Sequence, residues 1–415
     1  MQLDYASEPK PVPQTTLDLV IVGAGPQALT LVAYLLQKRA KFRDRFVAFD
    51  PSGTWLSQWR RQMAAQEIEH LRSPAAHHPD PNPFALRKFA ENRPNGLFAP
   101  YDLPGTRLFE AFCSELIRRW DIGDRVYPAK VVRIVPQKAQ HKKTRFQIVL
   151  DSGATYLARR VAIATGGGIR HIPDWAKPLS ASVPKDQLCH GSDVDLRNLQ
   201  LASDRILIVG GGLSSGHLAL GAAARGAKVT LLLRRQLQEK LFDAEPGWLG
   251  PKYLKAFQAS SDWQYRWQLI RQARNGGSMT PEVTLKLRRL SREGRVTINE
   301  FCEVKAANWH CGEWQMHCNN GSVLSARRIW LATGTLLDAT IDPLLSDIFA
   351  AYPPEIVNGL PILDKHLRVP GCEVFLMGGY SALQVGPLAS NLGGGRIACD
   401  RIIPAIVKPS LAFRQ

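Results

Sequence analysis

The chain has 415 residues, 45% of them hydrophobic, seven cysteines and a formal net charge of +17. That length suits two or three domains rather than one. No apolar run reaches the ~18–20 residues of a membrane span, and no C-x-x-C pair occurs, which argues against a disulfide framework, a zinc ribbon and a dithiol reductase site.

Met1 to Thr16 is polar and proline-bearing, without the basic-then-apolar pattern of a secretory leader, so a cytoplasmic protein is expected. The basic residues are spread along the chain. No nucleic-acid-binding motif accompanies them, and nucleic acid is not expected as a partner. Their excess suits polyanionic small molecules, an acidic partner or a membrane surface.

The first predicted unit is an apolar strand, Leu19 to Val22, that runs into Gly23-Ala24-Gly25-Pro26-Gln27-Ala28 and a helix. Such a turn cradles a pyrophosphate. Gly23 permits the tight turn, Gly25 lets the backbone approach the phosphates, and the small Ala28 lets the helix pack on the strand. The helix N-terminus, with Pro26 and Gln27 in its first turn, presents N–H groups and positive partial charge. The next strand, Phe46 to Asp50, ends on an acid able to accept hydrogen bonds from the adenosine ribose of FAD. Trp55 and Trp59 follow, as a wall for a flavin or as ordinary core. His77 and His78 sit in a proline-rich loop at the wrong spacing for two ligands on one helical face, so no metal is expected.

Residues 151–166 end on Ala164-Thr165-Gly166, and residues 319–334 repeat their pattern: a glycine, then Ala-Arg-Arg, then Ala-Thr-Gly in register. Short alternating strands precede each, such as Arg145 to Leu150 and Trp314 to Cys318. Each half therefore reads as a Rossmann unit with a small antiparallel insertion that returns to the parallel sheet at Ala-Thr-Gly. Arg159-Arg160 and Arg327-Arg328 read as solvated strand starts.

Between these repeats lies a second turn. The strand Ile206 to Val209 runs into Gly210-Gly211-Gly212-Leu213-Ser214-Ser215, where Gly210, Gly212 and Ser215 repeat the first logic. Its following strand ends not on an acid but on Arg234-Arg235, which suit a 2′-phosphate and so NADPH rather than NADH. Two dinucleotide cradles in one chain imply electron transfer from a nicotinamide to a flavin. Asp262 to Arg271 mixes aromatics with charges, as a helix over a substrate cleft or with its aromatic face in a core.

In the tail, Val374 to Tyr380 reads as a strand running into glycines that include Gly379. Gly386-Pro387-Leu388 is predicted to open a helix reaching about Ile406, with Pro387 in its first turn and its N–H groups aimed at a flavin edge. The expected fold is α/β, with two Rossmann-like three-layer domains, each carrying a small antiparallel insertion. A discontinuous FAD domain spans 1–185 and 339–415, and an NADPH domain is inserted at 186–338.

With these residues in place, the chain resembles the two-dinucleotide-binding flavoproteins, and within them the flavin-dependent N-hydroxylating monooxygenases, the lysine and ornithine hydroxylases. Gly53-Thr54-Trp55 with Trp59 resembles the tryptophan-bearing flavin loop. Gln66, Leu71-Arg72-Ser73-Pro74 and Pro83-Phe84 resemble the flavin-facing stretch. Thr106 to Trp120, Cys189-His190-Gly191-Ser192, and Gly379-Tyr380 with Gly386-Pro387-Leu388 match further segments of that group. Three positions depart from its pattern: Thr335 replaces a tyrosine, Val385 a histidine, and the loop Phe242 to Tyr253 carries no asparagine. The resemblance implies NADPH-dependent reduction of FAD, then O2 activation and oxygen transfer to an amine or other small nucleophile. The cofactors do that chemistry, so no catalytic side chain is assigned. Gln66 is a flavin-edge hydrogen-bonding candidate on the resemblance, and Gly166 a contact beside the first cradle. His190 orients the linker between halves or approaches the nicotinamide. Two other functions stay open: an NADPH oxidoreductase that passes electrons to a quinone, dye or protein, and a catalytically silent flavin-binding protein.

Overall fold

The computed structural model describes residues 16–137, 145–180, 183–274 and 276–408. The polar N-terminal segment lies outside them but for its last residue.

The first half starts with β1 (Leu19–Val22), whose four residues are all buried. A continuous apolar run of this kind is what a parallel strand covered on both faces requires. Helix α1 (Pro26–Lys38) follows, with Gly25 as N-cap and a proline in its first turn. It is buried from Gln27 to Leu36, because the sheet lies on one side and the last helix of the chain on the other. Then come β2 (Phe46–Asp50), α2 (Ser57–Ala65), β3 (Val126–Pro128), an antiparallel insertion of β4 (Val131–Gln137), β5 (Arg145–Leu150) and β6 (Thr155–Ala158), and β7 (Val161–Ile163).

The second half repeats the plan. It runs β8 (Leu188–His190), β9 (Arg205–Val209), α3 (Leu213–Ala224), β10 (Lys228–Leu232), three helices α4 (Pro251–Ala259), α5 (Trp263–Arg274) and α6 (Pro281–Arg292), and β11 (Val296–Asn299). The insertion β12 (Val304–His310), β13 (Glu313–Cys318) and β14 (Val323–Ala326) precedes β15 (Arg328–Leu331). The tail returns β16 (Val374–Leu376) and α7 (Leu392–Val407).

Two five-stranded sheets result, with orders β16-β7-β1-β2-β3 and β8-β15-β9-β10-β11, each parallel throughout. The strand from residues 374–376 pairs with β7 of the first half, so the first sheet is built from both ends of the chain, as the sequence predicts. Each insertion is a three-stranded antiparallel sheet. The repeated dibasic pairs do more than meet solvent. Arg159 pairs with Asp18 just before β1, and Arg328 pairs with Asp204 just before β9, at 2.9 and 2.8 Å.

One prediction is corrected and one open alternative is settled. No helix opens at Gly386. A short helix, Ala382–Val385, ends there, with Gly386 as its C-cap at φ 99° and ψ −172°, an extended positive-φ conformation that glycine alone adopts readily. Pro387 to Asn391 then turn before α7 starts at Leu392. Of the two readings of the aromatic segment in α5, packing of its aromatic face in a core is the one the structure shows. Trp263 and Trp267 pack on the core of the first half, together with Ala244, Trp248, Leu254, Phe257 and Ile270. Arg266 is 8% exposed. It donates to the carbonyls of Gln258, Ser260 and Leu383, and its guanidinium lies over Trp263. Residues 244–270 thus leave the second half in sequence and dock on the first in space. Among the described residues no helix is long and apolar enough to cross a membrane.

Candidate functional site: two cradles and the cleft between them

At the first cradle, Gly23 has φ 96°, and a Cβ there would sit 3.1 Å from the carbonyl oxygen of Ala164. Glycine is required because the turn rides directly on the Ala-Thr-Gly return. The next N–H, of Ala24, donates to Asp50 at 3.1 Å, and the other oxygen of Asp50 accepts from Ser52. Around Gly25 the situation reverses: a Cβ would meet nothing within 4 Å. No side chain caps α1, so its first N–H groups stand over open space, which is what a pyrophosphate needs. Ala28 is fully buried. The Gln27 amide donates to the carbonyls of Ala389 and Asn391 at 3.2 and 2.9 Å, and its Oε1 is buried without a partner. Open space also lies over Gly166, whose carbonyl accepts from the N–H of Gly379. A Cβ on Gly379 would press on Leu337 at 2.4 Å.

The second cradle repeats this. Gly210 has φ 142°, and a Cβ would fall 2.2 Å from the carbonyl oxygen of Ala332. Gly212, the N-cap of α3, has no side-chain cap and open space over it. Ser214 is exposed, and Ser215 is buried with its hydroxyl donating to the Gly212 carbonyl at 2.6 Å. Arg234 is exposed at the end of the strand. Arg235 is half-buried and donates to Gly277 at 3.0 Å. Burial, and then the Arg234 charge, push the Arg235 pKa down. Two adjacent guanidinium groups in that state favour an anion between them.

The tryptophans are placed differently. Trp55 is 2% exposed, with its indole N–H donating to the carbonyl of Ile122 at 2.8 Å, and Trp59 packs on Phe109. Both pack against the core of the first half, Trp55 buried and Trp59 partly so. Gln66 is buried at the C-terminus of α2. Its amide donates to Gly191 at 3.2 Å and its Oε1 has no partner. His190 bridges Ser192 and the carbonyl of Gly334, at 2.8 and 3.1 Å, and burial lowers its pKa. It fastens the linker. His78 is fully buried, and Leu388 is buried on the wall of the cleft described next.

A shallow, partly open cleft lies where the halves meet, lined by residues from the segments 72–77, 242–249 and 388–393. Arg72 dominates it. Its Nε donates to Leu241, its Nη1 to Asp243 at 2.7 Å and to the Ser278 carbonyl, and its Nη2 to the carbonyls of Lys240 and Phe242 and to the Ser278 hydroxyl. Asp243 accepts in turn from Asn391 at 3.2 Å. The carbonyl of Asn391 is the acceptor for Gln27, and Gly277, next to Ser278, abuts Gly212. One chain of contacts therefore runs from the first cradle through the cleft to the second. Sequence reasoning singled out Arg72 only within a matched segment and missed Asp243 as its partner and Asn391 as the partner of Asp243. Separations of 171 and 148 residues leave no local signal for them.

This is the architecture of a two-dinucleotide flavoprotein. The model of the pyridine nucleotide-disulphide oxidoreductase family matches residues 17–247, more than half of the chain, and the chain belongs to that family. It is accordingly an oxidoreductase that uses FAD and a pyridine nucleotide. No curated protein matches it by sequence. Its fold is similar to those of several solved structures. One is an ornithine hydroxylase (PvdA) from Pseudomonas aeruginosa, with TM-score 0.74, 16% identity, and 94% of this chain and 99% of that one covered. A second is the ornithine N-hydroxylase KtzI of Kutzneria sp. 744, with TM-score 0.76, 17% identity and coverage of 95% and 100%. A third is the L-lysine 6-monooxygenase of Pseudomonas syringae, with TM-score 0.73, 18% identity and coverage of 94% and 99%.

Proposed function

We propose that the chain is an NADPH- and FAD-dependent monooxygenase that transfers oxygen to a small nucleophile, an amine among the candidates, in the cytoplasm. The observation that carries this reading is the pair of uncapped, glycine-opened helix ends joined by one contact chain through a shared cleft. When bound, the nicotinamide supplies a hydride and the flavin relays the electrons to O2. The chain's residues do the rest. Gly23, Gly25 and the first turn of α1 hold the FAD pyrophosphate, and Asp50 accepts from the ribose. The unpaired Oε1 of Gln66 is an acceptor toward that cofactor, and Gln27, whose amide is tied to Ala389 and Asn391, fixes the first turn of α1 beneath it. Gly210, Gly212 and the start of α3 hold the NADPH pyrophosphate, and Arg234 and Arg235 pair with its 2′-phosphate. The Arg72–Asp243–Asn391 bracket keeps the halves closed and excludes water from the joint. The FAD domain is formed by 1–185 and 339–415, and the NADPH domain by 186–338 with residues 244–270 docked across.

The test is coupling. Purified holoenzyme is given NADPH, O2 and a panel of amines and other nucleophiles, and oxygenated product is counted per NADPH consumed. A ratio approaching one for at least one compound is expected. Rapid NADPH consumption with peroxide as the sole product across the panel would overturn oxygen transfer in favour of electron transfer alone.

A further inference from the structure

The contacts between the cradles pass through a loop with no side chains of its own to fix it. Gly276 and Gly277 both take positive φ, 63° and 101°. Arg235 grips this loop from the NADPH side, donating to the Gly277 carbonyl at 3.0 Å, and a Cβ on Gly277 would lie 3.3 Å from Cα of Gly212, the N-cap of α3. Arg72 grips it from the other side. It donates to the carbonyl and the hydroxyl of the buried Ser278 at 3.3 and 2.9 Å, and to Asp243 at 2.7 Å. Asn391 is the node between this bracket and the tail. Its amide donates to Asp243 at 3.2 Å and its Oδ1 accepts from Arg274 of α5 at 3.5 Å. Its backbone carbonyl accepts from Gln27 in the first turn of α1.

We propose that Asn391 is a positioning residue through which the 2′-phosphate of NADP(H) tightens FAD binding; the inference rests on the Arg234–Arg235 assignment above and adds a coupling between the two cofactors. The sign follows from charge and entropy. Burial and the neighbouring Arg234 both work against the Arg235 cation. A 2′-phosphate cancels that repulsion and holds Arg235, and with it the Gly277 carbonyl, in one place. Ordering a glycine loop costs backbone entropy. With the loop held, Ser278 stays where Arg72 needs it, and the bracket through Asp243 holds Asn391. Gln27 and the start of α1 are then set for a pyrophosphate. An ordering cost met by the first ligand is not incurred again by the second, which is positive cooperativity. By linkage FAD tightens NADP+ by the same factor. NAD+ lacks the phosphate and transmits little.

The experiment reads binding, not turnover. FAD-loaded protein is diluted to equilibrium and released FAD is followed by its fluorescence, alone, with saturating NAD+ and with saturating NADP+. NADP+ is expected to lower the FAD dissociation constant at least fivefold, and NAD+ less than twofold. Asn391→Ala keeps the backbone carbonyl that Gln27 uses and removes only the side-chain link. In that variant the NADP+ effect is expected to fall below twofold. A merely structural Asn391 would weaken FAD by one factor with and without NADP+, which leaves the parent's ratio intact and overturns the proposal. Ser278→Ala removes one acceptor of Arg72 at the far end of the bracket and carries the same test if Asn391→Ala does not load FAD. Its NADP+ effect is expected to fall by at least half, and an unchanged effect overturns the proposal. The two readings fail differently. NADP+ that binds more tightly than NAD+ but leaves FAD affinity unmoved ends the coupling and spares the 2′-phosphate assignment. Equal affinity for NADP+ and NAD+ ends both.

Discussion

At Gly25 two demands on one residue separate cleanly. The backbone conformation (φ −79°, ψ −174°) is open to any residue, and a Cβ there meets nothing. Fold and cofactor binding therefore decouple: Gly25→Val is expected to keep its melting temperature and circular dichroism but to purify without flavin colour. Stoichiometric FAD in that variant would refute the cradle assignment. The motif made this residue legible, whereas the environment of His78 needed the structure. His78 is fully buried against Phe112. Burial first, then the Arg396 charge and neighbouring His77, lower its pKa to about 4, against the opposing pull of the Pro83 carbonyl and Asp80. The unfolded ring titrates near its ordinary value of about 6.5. The unfolded chain therefore takes up the proton first as pH falls. The neutral ring's contribution is complete above pH 6.5, is lost progressively down to about pH 4, and is worth on the order of 3 kcal/mol. His217, lowered similarly by burial, adds to the same slope. His78→Phe keeps the packing and removes the proton site. Its melting temperature is expected to fall less steeply than the parent's between pH 6.5 and 4.5, and an unchanged slope would refute this account.

Among the elements, those built on local pattern were readable and those set by long-range packing were not. Both strand–glycine–helix units and both Ala-Thr-Gly returns follow from apolar runs and turn residues. The acids that the dibasic pairs meet were not read from the sequence: Asp18 and Asp204 lie outside the repeated segments, in equivalent places just before β1 and β9. The helix predicted from Pro387 failed because a proline after glycine opens a helix only if the glycine is not already closing one. The conformation of Gly386 is set by the short helix before it. Docking of 244–270 on the first half was equally hidden, since helical aromatic spacing says that a face is buried but not against what. The end of β10 carries a prediction of its own. Arg234 and Arg235 lie just past it, beside the glycine loop at Gly276 and Gly277. The double variant Arg234→Ala with Arg235→Ala is expected to lose at least tenfold in NADPH affinity and less than threefold in NADH affinity, by titration of the flavin-loaded protein. Equal losses would remove the 2′-phosphate role.

Across the whole molecule, the two sheets carry separate cores, so their relative placement depends on what crosses between them. Four crossings stand out. Residues 244–270 dock on the first core, the Gln66 amide reaches Gly191, Arg225 pairs with Glu67 at 2.8 Å, and Arg72 gathers the 240–243 and 278 loops. The Arg225–Glu67 pair is partly solvated and contributes little. Arg72 differs in kind. It is buried, and its removal leaves Asp243 without its cation and several carbonyls without donors, a loss on the order of 3 kcal/mol. That loss falls on the joint rather than on either core. Arg72→Ala is therefore expected to lower the melting temperature by a few degrees and to split or broaden the calorimetric transition, because the halves no longer unfold as one. Arg72→Lys, which keeps the charge but not the planar set of donors, is expected to recover only part of the difference. A single sharp transition at the parent temperature in Arg72→Ala would show that the docked segment alone holds the halves together, and the cleft would then owe its shape to 244–270 rather than to the charged bracket.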